Sequence, residues 1–454
     1  MKQLKSSLEN SLTRGALRQL LLVGICAGLI GSVALAQQAE LLFTYWGSPQ
    51  EKTAIESMVS SFNEQHPDIN VRAQYIPNTT YVEKISAMLA SGNPPDVAYL
   101  SEGQAFPWAS EGTLLDLSSY FKEDAEASNR LPATYYNYGD GKTLGTNTAG
   151  ETMILYYNKA LFEDAGVDLP PSEAADAWTW DEFVEAAKKL TKDRNGNDAT
   201  SPDFDPKAIQ TYGISFPQWW GGYLPFVYSN GGDLANEAGT ELLLNQPAAV
   251  EVLQKMQDLI YVHHVAPTPA QSQTFPSADV MMQTGKVAMT IDGQWKVLDF
   301  SQLGMDWGMG VLPKFKKPVT VMLGAPTVIF AATKYPDAAF EFYKFHNNPE
   351  YVDLFEKGLW MPLQESYYKD PKKTAEWLDG QEGVYPPEAR DVLVDYTLNG
   401  TPKQPPAYWL KNFGQIESDA LTPALEQLWN GSLTAQAAMD QAAAKAKPLL
   451  EGRW

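Results

Sequence analysis

Tryptophans offer this chain its most distinctive chemistry. There are thirteen in 454 residues, and Trp46, Trp108, Trp219, Trp220, Trp295, Trp360 and Trp409 fall on segments that read as loops. A tryptophan is more often core than ligand contact. On a glycine- or proline-rich loop after a strand, however, its flat face can cover the C–H face of a pyranose. Neighbouring carboxylates and amides then accept the sugar's hydroxyl protons. Trp46 with Ser48, Glu102 with Gln104, and Asp292 with Trp295 each bring a polar group to such a loop. For the acids, Glu102 above all, a helix N-cap or a solvated loop charge is the competing explanation.

Other chemistries have less material. The chain contains no H-E-x-x-H, P-loop, G-x-S-x-G or paired C-x-x-C motif. The adjacent His263 and His264 would point apart on a helix and cannot chelate one ion together. The chain's 55 acidic residues are enough to form a glycosidase pair, but no spacing selects two of them; a secreted carbohydrate-active enzyme is the alternative that stays open. Asp193, Asn195 and Asn197 put oxygen side chains at alternate positions, like the first half of a calcium loop. The sixth position is Asp198 instead of glycine and the twelfth is Phe204 instead of glutamate, so a plain Asn-Gly turn competes with calcium. No other cofactor is expected.

Charge narrows the partners. A formal net charge of −21 argues against nucleic acid, whose phosphates recruit basic surfaces. The few positive residues at the start belong to an export signal: Lys2, Lys5, Arg14 and Arg18, an apolar run from Leu20 to Val33, then Ala34-Leu35-Ala36 as the cleavage site. The apolar run is short for a membrane span, which needs about 20 residues, and an uncleaved N-terminal anchor is the competing reading. Cleavage after Ala36 removes a net +3 and leaves a mature chain of −24. It also removes Cys26, the one cysteine, which suits an oxidising compartment.

These side chains need elements to hold them. Glu40–Tyr45 reads as a buried strand running into Trp46-Gly47-Ser48-Pro49, and Pro49 can open a helix whose stripe is Ile55, Met58, Val59 and Phe62. Ile69, Val71, Ala73 and Tyr75 alternate as a strand; Val82, Ile85 and Leu89 mark a helix; Asp96–Leu100 is a third strand. This βαβαβ order predicts an α/β fold with a mainly parallel sheet, with ligands beyond the carboxyl ends of the strands. Trp46–Gln50 and Ser101–Trp108 become ligand-facing loops on that rule. Further strands are predicted at Met153–Tyr157, Lys286–Ile291, Met305–Leu312 and Thr327–Ala332, and helices at Lys159–Ala165, after the capping box Thr179–Glu182, over Gln246–Val262, and in most of the chain from Pro336. Residues 370–406, rich in Pro, Lys and Asp, read as a surface excursion.

Several blocks, in order, resemble the extracellular solute-binding proteins of sugar ABC transporters, the family of the maltodextrin-binding proteins. They are Phe43-Thr44-Tyr45-Trp46-Gly47, Phe62-Asn63-Glu64-Gln65-His66-Pro67, Gly92-Asn93-Pro94-Pro95-Asp96-Val97 and Glu111-Gly112-Thr113-Leu114-Leu115-Asp116-Leu117. Tyr156-Tyr157-Asn158-Lys159, Trp180-Asp181-Glu182-Phe183 and Gly285-Lys286-Val287-Ala288-Met289 with Asp292-Gly293-Gln294-Trp295 continue the series. The resemblance implies a two-lobed α/β periplasmic-binding-protein fold, each lobe a mainly parallel sheet flanked by helices and joined by crossover strands. Residues 37–147 with 293–332 would form the first lobe, and 148–292 with 333–454 the second. Crossings are implied near 144–151, 291–293 and 331–333. It further implies that Glu151 contacts sugar, that Trp295 stacks on it, that Gln218–Trp220 lie in an aromatic stacking loop, and that Tyr408-Trp409 give a late contact. The Trp46–Gln50 loop departs from the charged loop of the maltodextrin proteins. A periplasmic monomer is implied, taking a neutral mono- or oligosaccharide and delivering it to membrane permease subunits.

Overall fold

A computed structural model describes residues 38–400 and 404–454. The expected signal, with Cys26, lies outside them. The strands in chain order are β1 (Ala39–Tyr45), β2 (Ile69–Tyr75), β3 (Val97–Tyr99), β4 (Tyr135–Tyr138), β5 (Lys142–Thr146) and β6 (Glu151–Asn158). They continue as β7 (Lys192–Asp193), β8 (Ile209–Ser215), β9 (Val287–Gly293), β10 (Trp307–Gly310), β11 (Met322–Leu323) and β12 (Thr327–Ile329).

One sheet has the order β12-β3-β1-β2, with β1 parallel to both β2 and β3. The helix α1 (Pro49–Gln65) buries the expected stripe of Ile55, Met58, Val59 and Phe62 against it. Its start is fixed by a capping box that also involves a residue the stripe does not reveal. The Ser48 hydroxyl accepts the Glu51 N–H at 3.2 Å, and the Glu51 carboxylate accepts the Ser48 N–H. In α2 (Asn78–Ala90) the buried residues are Tyr81 and Ile85. The Tyr81 hydroxyl donates to the carbonyl of Thr44 at 2.9 Å, tying this helix to the end of β1.

β4 and β5 form an antiparallel two-stranded sheet, and the second large sheet has the order β10-β6-β9-β8-β7, with β11 also paired to β6. Here only β8 and β9 pair in parallel; β6 runs antiparallel to β9, β10 and β11. The expectation of a mainly parallel sheet therefore holds for the first sheet and not for the second. The cause is the route from β9 to β10: the chain passes through the short helix α4 (Lys296–Ser301) and places β10 on the far side of β6. The two strands that this helix joins are parallel to each other, with β6 inserted between them.

This route also corrects the implied boundaries. The segment from 293 to 323 stays with the second sheet, because β10 and β11 both pair with β6. The change of sheet comes between β11 and β12, at 324–326, earlier than 331–333, and there is none at 291–293. The helix α5 (Pro336–His346), expected with the second lobe, covers the first sheet: Phe342 packs at 5.1 Å from both Phe43 and Phe62, and His346 at 5.6 Å from Phe43. The stretch from 370 to 400 is no surface excursion either, since Trp377, Leu378, Val392, Leu393 and Tyr396 are buried. No helix among the described residues is long and apolar enough to cross a membrane.

The two sheets are joined where the 147–150 segment passes beside the 323–327 segment. The Thr148 N–H donates to Ala325 O at 2.8 Å, the Asn147 amide donates to Leu323 O at 2.6 Å, and the Thr148 and Thr327 hydroxyls share a 2.7 Å bond. Gly324 is the hub of this junction. Its carbonyl accepts the hydroxyls of both Tyr136 and Tyr408. Its φ of +133° and the Ala149 carbonyl, 2.6 Å from where a Cβ would stand, leave no room for a side chain. Gly324→Ala is therefore expected to destabilise the protein by about 1–3 kcal/mol, the usual cost of a strained backbone position. Denaturant unfolding at constant slope measures it.

Candidate functional site

The carboxyl ends of β1 and β3 face the second sheet across a cleft of about 660 Å³. After β1 come Trp46, Ser48 and Glu51; after β3 come Ser101 and Glu102, which opens the helix α3 (Glu102–Ser110). The second sheet contributes Glu151 at the start of β6, Trp219 and Trp220 after β8, and Trp295, Lys296 and Asp299 after β9. Because β6 and β9 are antiparallel, the first residue of one lies beside the end of the other. Trp360 and Glu417 complete the wall.

Five tryptophans thus line one cleft, and each is braced. Trp46 is held edge-on by Tyr81 at 4.7 Å and Tyr99 at 5.4 Å. Trp360 packs against His346 at 5.0 Å. Trp219 and Trp220 stand perpendicular at 5.0 Å, with Trp220 buried and Trp219 38% exposed, so that Trp219 offers the free face. Two glycines set this arrangement. A Cβ on Gly293 would stand 2.0 Å from the Trp295 ring, and one on Gly221 would stand 2.2 Å from the Trp219 ring. Each indole lies over the backbone of a glycine two residues away, a close approach that only glycine permits.

The polar side of the cleft is acidic. Burial pushes the carboxyls of Glu51 and Glu102 up to about 7. It raises Glu151 to about 8, with the charges of Glu51 and Glu102 adding to the effect. Lys296 is the cation among the described lining residues, and it is engaged in salt bridges with Asp299 at 2.7 Å and Asp279 at 3.3 Å. Asp299 also accepts the Ser48 hydroxyl at 3.1 Å, a bond that reaches from the second sheet to the cap of α1. The site is therefore a set of aromatic faces beside several hydrogen-bond acceptors.

Of the residues singled out by sequence, Trp46, Ser48, Glu102, Glu151, Trp219, Trp220, Trp295 and Trp360 line this cleft. Gln104, Asp292 and Trp409 do not. Gln104 lies two residues beyond Glu102 on α3, roughly 200° around the helix, and its carbonyl accepts the Ser101 hydroxyl. Asp292 accepts the Gly293 N–H at 2.8 Å and has Lys296, Asp299 and Asp279 as its charged neighbours. Trp409 is buried under the Arg453 guanidinium, 3.9 Å from its ring centroid, and ties down the chain's end. The calcium-like segment closes on itself: the Asp193 carboxylate accepts the N–H groups of Asn195, Asn197 and Asp205 at 2.8–3.1 Å. Among the described residues no group of three or more His, Cys, Asp or Glu is placed to hold a metal ion. Sequence reasoning missed Glu51, Tyr81, Tyr99, Lys296, Asp299 and Glu417. The capping spacing of Ser48 and Glu51 was the one local signal that could have found any of them.

The chain's relatives share this organisation. Residues 46–353 match the family model of bacterial extracellular solute-binding proteins. The sn-glycerol-3-phosphate-binding periplasmic protein of Brucella abortus is 27% identical over 450 residues, covering 93% of this chain and 95% of its own. An arabinooligosaccharide-binding protein of Halalkalibacterium halodurans is 32% identical over 237 residues, covering 50% of this chain and 47% of its own. Among solved structures, an ABC substrate-binding protein from Listeria monocytogenes in complex with cycloalternan superposes with a TM-score of 0.76 at 25% identity, covering 90% of this chain and 97% of its own. Maltose-bound MalE3 of T. maritima gives 0.70 at 23% identity, covering 91% of this chain and all of its own. The fold is the two-lobed one of these binding proteins.

The raised carboxyls give the site a pH signature. Between the ordinary glutamate value of 4.5 and about 8, the folded protein holds more protons on Glu51, Glu102 and Glu151 than the unfolded chain does. Stability from these groups is full below 4.5 and is lost as pH rises through 7 to 8. Glu151→Gln should flatten the fall in thermal midpoint across that window, measured in the protein without ligand.

Proposed function

The chain belongs to the bacterial extracellular solute-binding proteins, and on that premise we propose that its cleft captures a neutral mono- or oligosaccharide for a sugar ABC importer. Members of this family are transport binding proteins rather than enzymes, and the proposed role here is capture without turnover. The tryptophans stack on the sugar's C–H faces while Glu51, Glu102 and Glu151 accept its hydroxyls. Both lobes contact the ligand together only when closed, so binding favours closure by bending at the 147–150 and 323–327 strands. The closed form, exported by the signal at residues 1–36 and acting as a periplasmic monomer, is then read by the permease. No cofactor takes part.

One observation carries the choice of a neutral ligand over the phosphate ester named for the Brucella relative. Among the described residues the cleft presents Glu51, Glu102, Glu151, Asp299 and Glu417 against a single lysine, and that lysine is already paired with two aspartates. A phosphate dianion brought into this wall would meet no free cation among the described lining residues, and its charge would oppose any ionisation of Glu51, Glu102 and Glu151, which is unfavourable. A sugar hydroxyl is a donor that suits every one of these acceptors.

Isothermal titration against a panel of neutral saccharides is expected to find one saturable site, with the saccharide recovered intact. Cleavage of the sugar, or a panel without a binder, contradicts the proposal. Trp295→Ala should lose about 30-fold or more in affinity with its fold preserved, as expected of a stacked aromatic anchor worth ~2 kcal/mol. Gly293→Ala should lose part of the same affinity although it leaves the indole in the sequence, because the added methyl displaces the ring.

A further inference from the structure

Asp299 divides its two oxygens between the lobes. Oδ1 accepts the Ser48 hydroxyl at 3.1 Å and Oδ2 accepts the Lys296 ammonium at 2.7 Å. The ammonium reaches Asp279 Oδ1 at 3.3 Å with a second proton. Asp279 and Asp299 are both buried, and Asp292 and Glu51 are further acids near this lysine. The one cation among the described residues of the cleft wall is thus outnumbered and turned toward acids of its own lobe.

We propose that Asp299, with Asp279 behind it, is the specificity-determining residue that excludes phosphorylated ligands, by withholding the Lys296 ammonium from the cleft. The proposal rests on the neutral-sugar reading above and adds the residue responsible for it. A phosphate ester needs at least one free ammonium or guanidinium to replace the water it leaves. Lys296 stands at the correct place in the wall to supply one, and Asp299 holds it. The same carboxylate contributes to closure through Ser48, so the two roles have to be separated by the choice of variant.

Asp299→Asn keeps an oxygen able to accept the Ser48 hydroxyl, while its amide cannot hold the ammonium. Ser48→Ala does the reverse: it breaks the contact between lobes and leaves the charges alone. Isothermal titration with sn-glycerol 3-phosphate and with inorganic phosphate, at low and moderate salt, reads the difference. The wild-type protein is expected to show no saturable binding of either anion. Asp299→Asn should gain saturable binding of glycerol 3-phosphate, tighter by roughly tenfold or more than any wild-type limit, and weakened by salt. Asp279→Asn/Asp299→Asn should gain more, and Ser48→Ala nothing. Near-ultraviolet circular dichroism establishes that each variant is folded; if Asp299→Asn is not, Asp279→Asn alone should show a smaller gain of the same kind. Folded variants without any gain, or an equal gain in Ser48→Ala, overturn the proposal while a sugar-binding wild type leaves the neutral-ligand reading standing. Wild-type binding of glycerol 3-phosphate tighter than that of every saccharide tested overturns both.

Discussion

A carboxyl group taken out of water either keeps its proton or finds donors to hold its charge, and three glutamates share that choice across one cleft. Glu51 comes from the cap of α1, Glu102 from the first turn of α3 and Glu151 from the start of β6. Each is carried by a different element, and the charges of Glu51 and Glu102 add to burial in pushing Glu151 upward. A ligand that brings several hydroxyl donors at once relieves all three. In the proposed reading the tryptophans supply the other half of recognition, since a sugar ring has apolar faces as well as hydroxyl edges. This combination explains why the chain spends acids and indoles together beyond the ends of its strands.

The frame around the cleft packs each half tightly onto its own sheet. Phe43, Phe62, Phe342 and His346 lock α1 and α5 onto the first sheet. Tyr156, Phe300 and Trp307 stack in series and hold α4 to the second. Between the halves the backbone crosses at 147–150 and at 323–327, around Gly324, where two tyrosine hydroxyls converge on one carbonyl. Ser48 and Asp299 then meet across the cleft, 251 positions apart in sequence. That hydrogen bond ties the cap of α1, on the first sheet, to α4, which follows β9 of the second.

How much of this could be read from the sequence depends on how local each signal was. The stripe Ile55, Met58, Val59, Phe62 and the capping box at Thr179 appear as expected, because a helix face and its cap are fixed within a few residues. The ordered family blocks pointed to the aromatic loops, and Trp46, Trp219, Trp220 and Trp295 do line the cleft. The glycine two positions from Trp219 and from Trp295 was visible in the sequence, but its purpose shows only once each ring is seen lying over it. Trp409 misled because its partner, Arg453, lies far along the chain and turns a loop tryptophan into a buried one. Lys296 and Asp299 went unnoticed for a related reason. Within the sequence they are an ordinary charged pair on a short helix, and only the fold brings them to Ser48 and Asp279. The second sheet's antiparallel pairing was likewise hidden, since the order of strands in a sheet is not their order in the chain.

The central claim is that ligand hydroxyls take over the buried carboxylates, and proton exchange on binding tests it most directly. Titrating the bound saccharide at pH 7 in buffers of different ionisation heat counts the protons exchanged. Hydroxyls donating to Glu51, Glu102 and Glu151 favour their ionised form and lower their pKa, so binding should release protons to the buffer. Proton uptake on binding, or an exchange of zero, would contradict the account.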